Sequence, residues 1–189
     1  MQTVDVLGLR AADASVRTAV AADVGAIGAV HARAWRAAYA DLLPGHVLTA
    51  LDPAALGAAW APAVLEPPTA AHRIVVACSG PTVVGFAAVD DDAELVALLV
   101  DPTHQRQGHG SRLLSAVVDH LRGVGAPRLL AWCPAPDVAR RAFLASAGLA
   151  PDGAWRELEV PDAPPLREVR LSASLAPDDV PPGSADATT

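Results

Sequence analysis

Six residues near the middle of the chain, Gln105-Arg106-Gln107-Gly108-His109-Gly110, have the types and spacing to hold an anion. They follow an apolar run ending Leu98-Leu99-Val100-Asp101-Pro102. They precede Ser111-Arg112 and a stretch where Leu113, Leu114, Val117, Val118 and Leu121 recur at helical spacing. A helix that starts after such a loop has first N–H groups with no intrahelical partner, at the positive end of its dipole. Glycines at 108 and 110 let backbone N–H groups approach an anion closely, and Arg106 and Arg112 flank them with positive charge. The competing reading of Gly-x-Gly is a plain turn before a helix.

Composition narrows which anion. All fourteen basic side chains are arginine; the chain has no lysine and no asparagine. A phosphate-loop NTPase needs a lysine on the β/γ-phosphates, and a pyridoxal-phosphate enzyme needs one for its Schiff base. A protein kinase would lack both its strand lysine and its catalytic-loop asparagine. A dinucleotide fingerprint needs a third small residue where Leu113 stands, and the strands upstream read as antiparallel, not doubly wound. Net charge is −7, which argues against a nucleic-acid partner. No apolar stretch approaches 18 uninterrupted residues, so no membrane partner is expected. The start, MQTVDVLGLRAADAS, has no basic residue leading into a long apolar run, so a cytoplasmic location is the expectation. Cys78 and Cys133 lie in apolar runs without ligand spacing and read as buried small hydrophobes, so no metal is expected.

Those residues need elements to position them. Val16–Val20 alternates as a strand, and Asp23 is placed to cap a helix reaching Tyr39, with Val24, Ile27 and Val30 as its buried stripe. On a neighbouring face His31, Trp35 and Tyr39 follow at i, i+4 and i+8. A second helix is expected within His46–Leu65. Arg73–Ala77, Val83–Val89 and Glu94–Val100 read as strands, the first pairs forming an antiparallel meander. The glycine loop and its helix follow, stopped by Gly123 to Gly125. Arg128–Cys133 is expected to run parallel to Glu94–Val100. Asp137 caps a helix to about Ala147, and Trp155–Val160 with Leu166–Leu171 closes the fold as a hairpin. The order predicts an α+β sandwich around one mixed, mostly antiparallel sheet, whose single parallel step carries the glycine loop. One domain is expected over 16–172, after a loose lead-in (1–15) and before a disordered Pro- and Asp-rich tail (173–189).

At this point the sequence resembles a family. Gln105-Arg106-Gln107-Gly108-His109-Gly110 matches the Q/R-x-x-G-x-G/A signature of the GNAT superfamily of N-acetyltransferases. It stands where that family has it, after a strand ending Val100-Asp101-Pro102. Val16-Arg17, the helix ending Ala34–Tyr39, and Ala139–Gly153 (ARRAFLASAGLAPDG) fall at matching places. The resemblance implies a three-layer α/β/α sandwich whose one parallel strand pair is splayed, with acetyl-CoA as co-substrate. Its pyrophosphate would lie on the backbone of Arg106 to Ser111, beside Gln105. Its pantetheine arm would pair with Leu98, Leu99 and Val100 like an added strand. Asp137 stands where the family often has Asn, and Arg140 or Arg141 would reach a CoA phosphate.

The resemblance also implies direct attack by an amine on the thioester. A backbone N–H near Leu98 or Leu99 would stabilise the carbonyl oxygen. Glu94 would activate the amine, itself or through water; its other reading is an exposed charge where a strand begins. The family commonly has a tyrosine as general acid where this chain has Leu144, after Phe143, and water is the alternative proton source. Trp35 and Tyr39, with His31, would face the acceptor, and Trp132 would line its pocket or fill core. His104 and His109 read as loop surface, Trp60 and Trp155 as core or dimer contacts. The acceptor would be a small-molecule or peptide amine, and the protein a monomer or homodimer. The rival reading is a non-catalytic CoA- or acyl-CoA-binding module of the same fold.

Overall fold

The computed structural model describes residues 14–160 and 163–176. Residues 1–13 of the anticipated lead-in (1–15) and 177–189 of the anticipated tail (173–189) lie outside those residues. Seven strands and five α-helices follow in the expected order: β1 (Ala14–Thr18), α1 (Val24–Ala38), α2 (Gly45–Thr49), α3 (Pro53–Leu65), β2 (Arg73–Ser79), β3 (Thr82–Val89), β4 (Leu95–Val100), α4 (His109–Gly123), β5 (Arg128–Pro134), α5 (Val138–Ser146), β6 (Ala150–Val160) and β7 (Ala163–Ser174). β1 begins two residues earlier than its alternation implied, and β7 runs to Ser174 with Leu175 buried behind it.

The single expected sheet is two antiparallel sheets, ordered β1-β2-β3-β4 and β5-β7-β6. One parallel bridge, Glu94 to Leu130, joins them, with Leu130 N–H donating to Ala93 O at 3.0 Å. Beyond it no other β4–β5 bridge forms among the described residues, so the parallel pair is splayed almost from its start. A bulge sits at the same place. Val89 pairs with Leu95 but Ala88 pairs with Ala97, leaving Val96 as the extra residue on β4.

Helices cover both faces. Leu113, Leu114, Val117 and Leu121 of α4, with Leu144 of α5, pack on one side of the sheets. Ile27, Val30 and Ala34 of α1 pack on the other against Phe86, Val76 and Leu99. Alternation sorts β4 between these layers, Leu98 and Val100 to the α4 side and Ala97 and Leu99 to the α1 side, and the bulge shifts the phase so that Leu95 also faces α4. The expected second helix is two, because Asp52 caps α3 through Ala54 N–H (3.0 Å) and Pro53 opens it. Asp23 caps the chain differently from expectation. It makes no side-chain bond to α1; its carboxylate takes Val20 N–H at 2.8 Å and both terminal nitrogens of Arg17 at 2.6 and 2.8 Å. That guanidinium holds Asp23 below the usual carboxylate range and ties β1 to the start of α1.

α1 and α3 cross at glycines. A Cβ on Gly28 would lie 2.1 Å from Pro53 O and 2.5 Å from Gly57 N, so no side chain fits there. Three residues beyond each glycine stand His31 and Trp60, and the close crossing brings them together: Trp60 Nε1–H donates to His31 Nδ1 at 3.0 Å. Gly28→Ala should destabilise the domain by about 3 kcal/mol, since backbone must move to admit the methyl. Thermal unfolding monitored by circular dichroism should show its midpoint several degrees lower.

Candidate active site

The loop between β4 and α4 is set by its first residue. Asp101 is buried, and its carboxylate accepts the Thr103 N–H (3.0 Å) and hydroxyl (2.6 Å) and the Arg33 guanidinium (2.6 Å). Burial raises this carboxyl, but those hydrogen bonds outweigh it and hold it below the usual range. The chain then passes through two left-handed residues, Arg106 (φ 62°) and Gly108 (φ 81°), the second directly before α4. A non-glycine residue at Arg106's φ costs about 1 kcal/mol or more and marks a backbone shaped for use. The first intrahelical bond of α4 runs from Arg112 N–H to Gly108 O (3.1 Å), so the preceding amides have no helical acceptor.

Those amides border a cavity of about 410 Å³. Of the residues expected to hold a cofactor, Leu98, Val100, Gln105, Arg106, Gly108, His109, Gly110, Ser111 and Arg140 line it. Leu99 does not, since it points to the opposite face; Gln107 and Asp137 do not either. Gln107 O accepts from Arg112 (3.1 Å), and the Asp137 carboxylate caps α5 through Arg140 N–H (2.9 Å). Phe143 completes the wall and was not anticipated there. No carboxylate lines this cavity, although the chain carries net charge −7. Its donor set of first-turn amides with arginine fits a phosphate ester.

His109 corrects the expectation of loop surface. It is only 3% exposed, and its Nδ1 has no hydrogen-bond partner among the described residues. Burial, with the nearby charges of Arg112 and His104, holds its imidazole below the ordinary value.

A second cavity, of about 390 Å³, opens on the other face of β4. It gathers Glu94, Trp35, Tyr39 and Trp132 from three separate elements, together with His31, Trp60 and Leu99. Arg140 borders both cavities. Trp132 Nε1–H donates to Glu94 Oε2 at 3.0 Å, fixing the carboxylate at the mouth of the strand. Asp90, the nearest competing acid, is turned to its own loop, accepting Glu94 N–H (2.9 Å) and Asp92 N–H (3.1 Å).

Arg156 and Glu168 were not foreseen. They pair across the β6–β7 hairpin at 2.7 Å, with Glu168 only 8% exposed, and the guanidinium lies 4.2 Å over the Trp132 ring. The signal was present in the expected hairpin, because 158↔166 pairing forces 156↔168. Trp155 is exposed instead of core, with Arg167 stacked 4.5 Å above it.

Tyr39 reaches further than its helix implied. Burial pushes its phenol above the ordinary value, while the charge of Arg140 opposes this and those of Glu168 and Asp137 add to it. Its hydroxyl therefore stays protonated near the start of α5. Leu144, where the sequence lacked a tyrosine, is wholly buried in the core. Cys133, buried at the end of β5 beside Asp137 O, has its thiol pushed up to about 11, chiefly by burial.

The acetyltransferase (GNAT) family model matches residues 32–149. The chain belongs to the GNAT acetyltransferase family. None of the curated proteins matches this GNAT chain. Among solved structures it resembles a GCN5-related N-acetyltransferase from Rhodopseudomonas palustris (19% identity, TM-score 0.68, covering 85% of this chain and 94% of that one). It also resembles yncA of Salmonella typhimurium, solved with acetyl-CoA (20% identity, TM-score 0.65, 91% and 99% covered). A third is the ribosomal-protein-S18-alanine N-acetyltransferase of Escherichia coli (19% identity, TM-score 0.63, 88% and 98% covered). At these identities the likeness is one of fold, and it agrees with the three-layer architecture. Among the described residues of the GNAT chain, no helix is long and apolar enough to cross a membrane, and no cluster of three metal-binding side chains occurs.

His31 and His109 give the domain an acid sensitivity. Burial holds the His31 imidazole below its ordinary value, and its Nδ1 already accepts the Trp60 indole proton. In the unfolded chain both rings take up protons near about 6.5. Below that pH the unfolded state binds more protons than the folded one, so stability falls as pH falls. Differential scanning calorimetry should show the midpoint dropping between pH 7 and about 5.5. A His31→Gln, His109→Gln double variant should show a shallower slope.

Proposed function

We propose that this chain transfers an acetyl group from acetyl-CoA to a primary amine by direct attack. The observation that carries the reading is the pair of cavities on opposite faces of β4. One is lined by arginine and free amides without a carboxylate, the other holds an oriented glutamate, and both border Arg140. Acetyl-CoA, bound in the first, would supply an activated thioester at the splay. The amides of Gly108 to Ser111 would hold its pyrophosphate, and the unpaired edge of β4 at Leu98–Val100 would take the pantetheine arm.

Glu94 receives the amine proton, directly or through water, from a position fixed by Trp132. A β4 N–H beside the splay faces the developing charge on the carbonyl oxygen. Tyr39, protonated and close to Arg140, is the side chain offered to the departing thiolate in place of the missing tyrosine at 144. The buried, hydroxyl-free Leu144 favours the second reading, a CoA-binding module without catalysis.

Thermal shift and thiol release separate the two. Acetyl-CoA should raise the unfolding midpoint of the wild-type chain. Gly108→Val, which places a branched side chain at φ 81° and against Arg112, should lose that shift. Absence of stabilisation at millimolar acetyl-CoA would reject both readings. Glu94→Gln should lower kcat about a hundredfold while leaving acetyl-CoA affinity intact. Tyr39→Phe should cost less, roughly tenfold, because water can still give a proton. Tight CoA binding with no thiol released from any amine would establish the binding module.

A further inference from the structure

The second cavity is walled by rings to an extent that amine activation does not require. On α1, His31, Trp35 and Tyr39 form a continuous ladder, with centroids 5.1 Å apart for the first pair and 4.9 Å for the second. Trp60 of α3 extends it, 6.0 Å from His31. Trp132 stands on β5 and carries Glu94 on its indole nitrogen. Two of the polar contacts open to rings at this wall are already made within the protein. His31 Nδ1 takes the Trp60 proton, and the Trp132 proton goes to Glu94. The charge of Arg156 is matched by Glu168 at 2.7 Å.

What remains for an occupant is the oriented Glu94 carboxylate, with Glu159 at the exposed margin, beside a broad aromatic surface. A polyamine or a polyhydroxylated amine would press further polar groups against rings that offer them few partners, and each would lose its water without replacement. A peptide would bring backbone N–H and C=O groups with the same problem. A single ammonium joined to a flat apolar body meets both features: charge toward Glu94, ring against Trp35 and Tyr39. The volume, about 390 Å³, is at the small end for ligand sites and suits a small molecule.

Resting on the transferase reading above, we propose that the acceptor is an arylalkyl primary amine: one amino group on a short chain from an aromatic ring. The amine end lies at Glu94 and the ring lies on the α1 ladder.

The test uses the full chain with 2-phenylethylamine, spermidine and an alanine-initiated tetrapeptide as probes. Intrinsic tryptophan fluorescence, with CoA saturating, reads binding; thiol release from acetyl-CoA reads turnover. 2-Phenylethylamine should bind and turn over with Kd and KM lower by roughly tenfold or more than the other two. Trp35→Ala should raise its KM by a similar factor without changing acetyl-CoA affinity. Preference for spermidine or the peptide would overturn the proposal, as would an unchanged KM in Trp35→Ala. If 2-phenylethylamine binds preferentially but no amine releases thiol, the transferase reading fails while the aromatic amine site stands. If acetyl-CoA is consumed with another acceptor and 2-phenylethylamine neither binds nor reacts, the transferase reading stands and this one fails.

Discussion

β4 keeps one hydrogen-bonded edge and gives up the other. On the β3 side it is paired from Leu95 to Val100; on the β5 side the single Glu94–Leu130 bridge is followed by separation. An unpaired strand edge leaves backbone N–H and C=O groups free to take a further extended chain. The Val96 bulge works with that opening. It turns Ala97 to the α1 layer although Leu95, two residues earlier, faces the α4 layer, and ordinary alternation then sends Leu98 and Val100 to one side and Leu99 to the other. One strand thereby serves two cavities, and the gap beside it is where their contents can meet.

The charge distribution follows the same division. Among the described residues, this acidic chain places no carboxylate on the cavity beside the glycine loop, and places three, Glu94, Glu159 and Glu168, around the other. The arginine-only basic set suits this, because guanidinium groups stay charged when partly buried and can serve a carboxylate and a ring face together, as Arg156 does with Glu168 and Trp132. Arg33 does the corresponding work at the loop. By holding Asp101 it couples α1, which carries the aromatic ladder, to the turn that launches the glycine loop.

Much of this was legible in the residues. Gly108 before an amphipathic run signalled a left-handed entry into a helix, which its φ of 81° matches, whereas Arg106 at φ 62° carried no such signal. The i, i+4, i+8 spacing placed His31, Trp35 and Tyr39 on one face because helix geometry permits nothing else. Features that depend on three-dimensional register were not legible. Asp23 had the right type and place for a helix cap, but Arg17 on β1 competed for the same carboxylate. His109 sits between two glycines that usually mean exposure, and only the packing of β4 against α4 shows that its ring is covered. The division into two sheets was hidden for a related reason. Strand direction can be argued from connectivity, but the point at which two parallel strands part depends on a bulge that alternation alone does not reveal.

The buried thiol of Cys133 has a consequence for what the domain does not do. It lies at the end of β5, beside the start of α5, and stays protonated well above neutral pH. Only a thiolate exchanges readily with a thioester. The chain also contributes no lysine amine anywhere. An activated acyl group resting in the splay would therefore find neither of the two side-chain nucleophiles that most readily intercept it. On the transferase reading, the scaffold would be spared self-acylation at these groups.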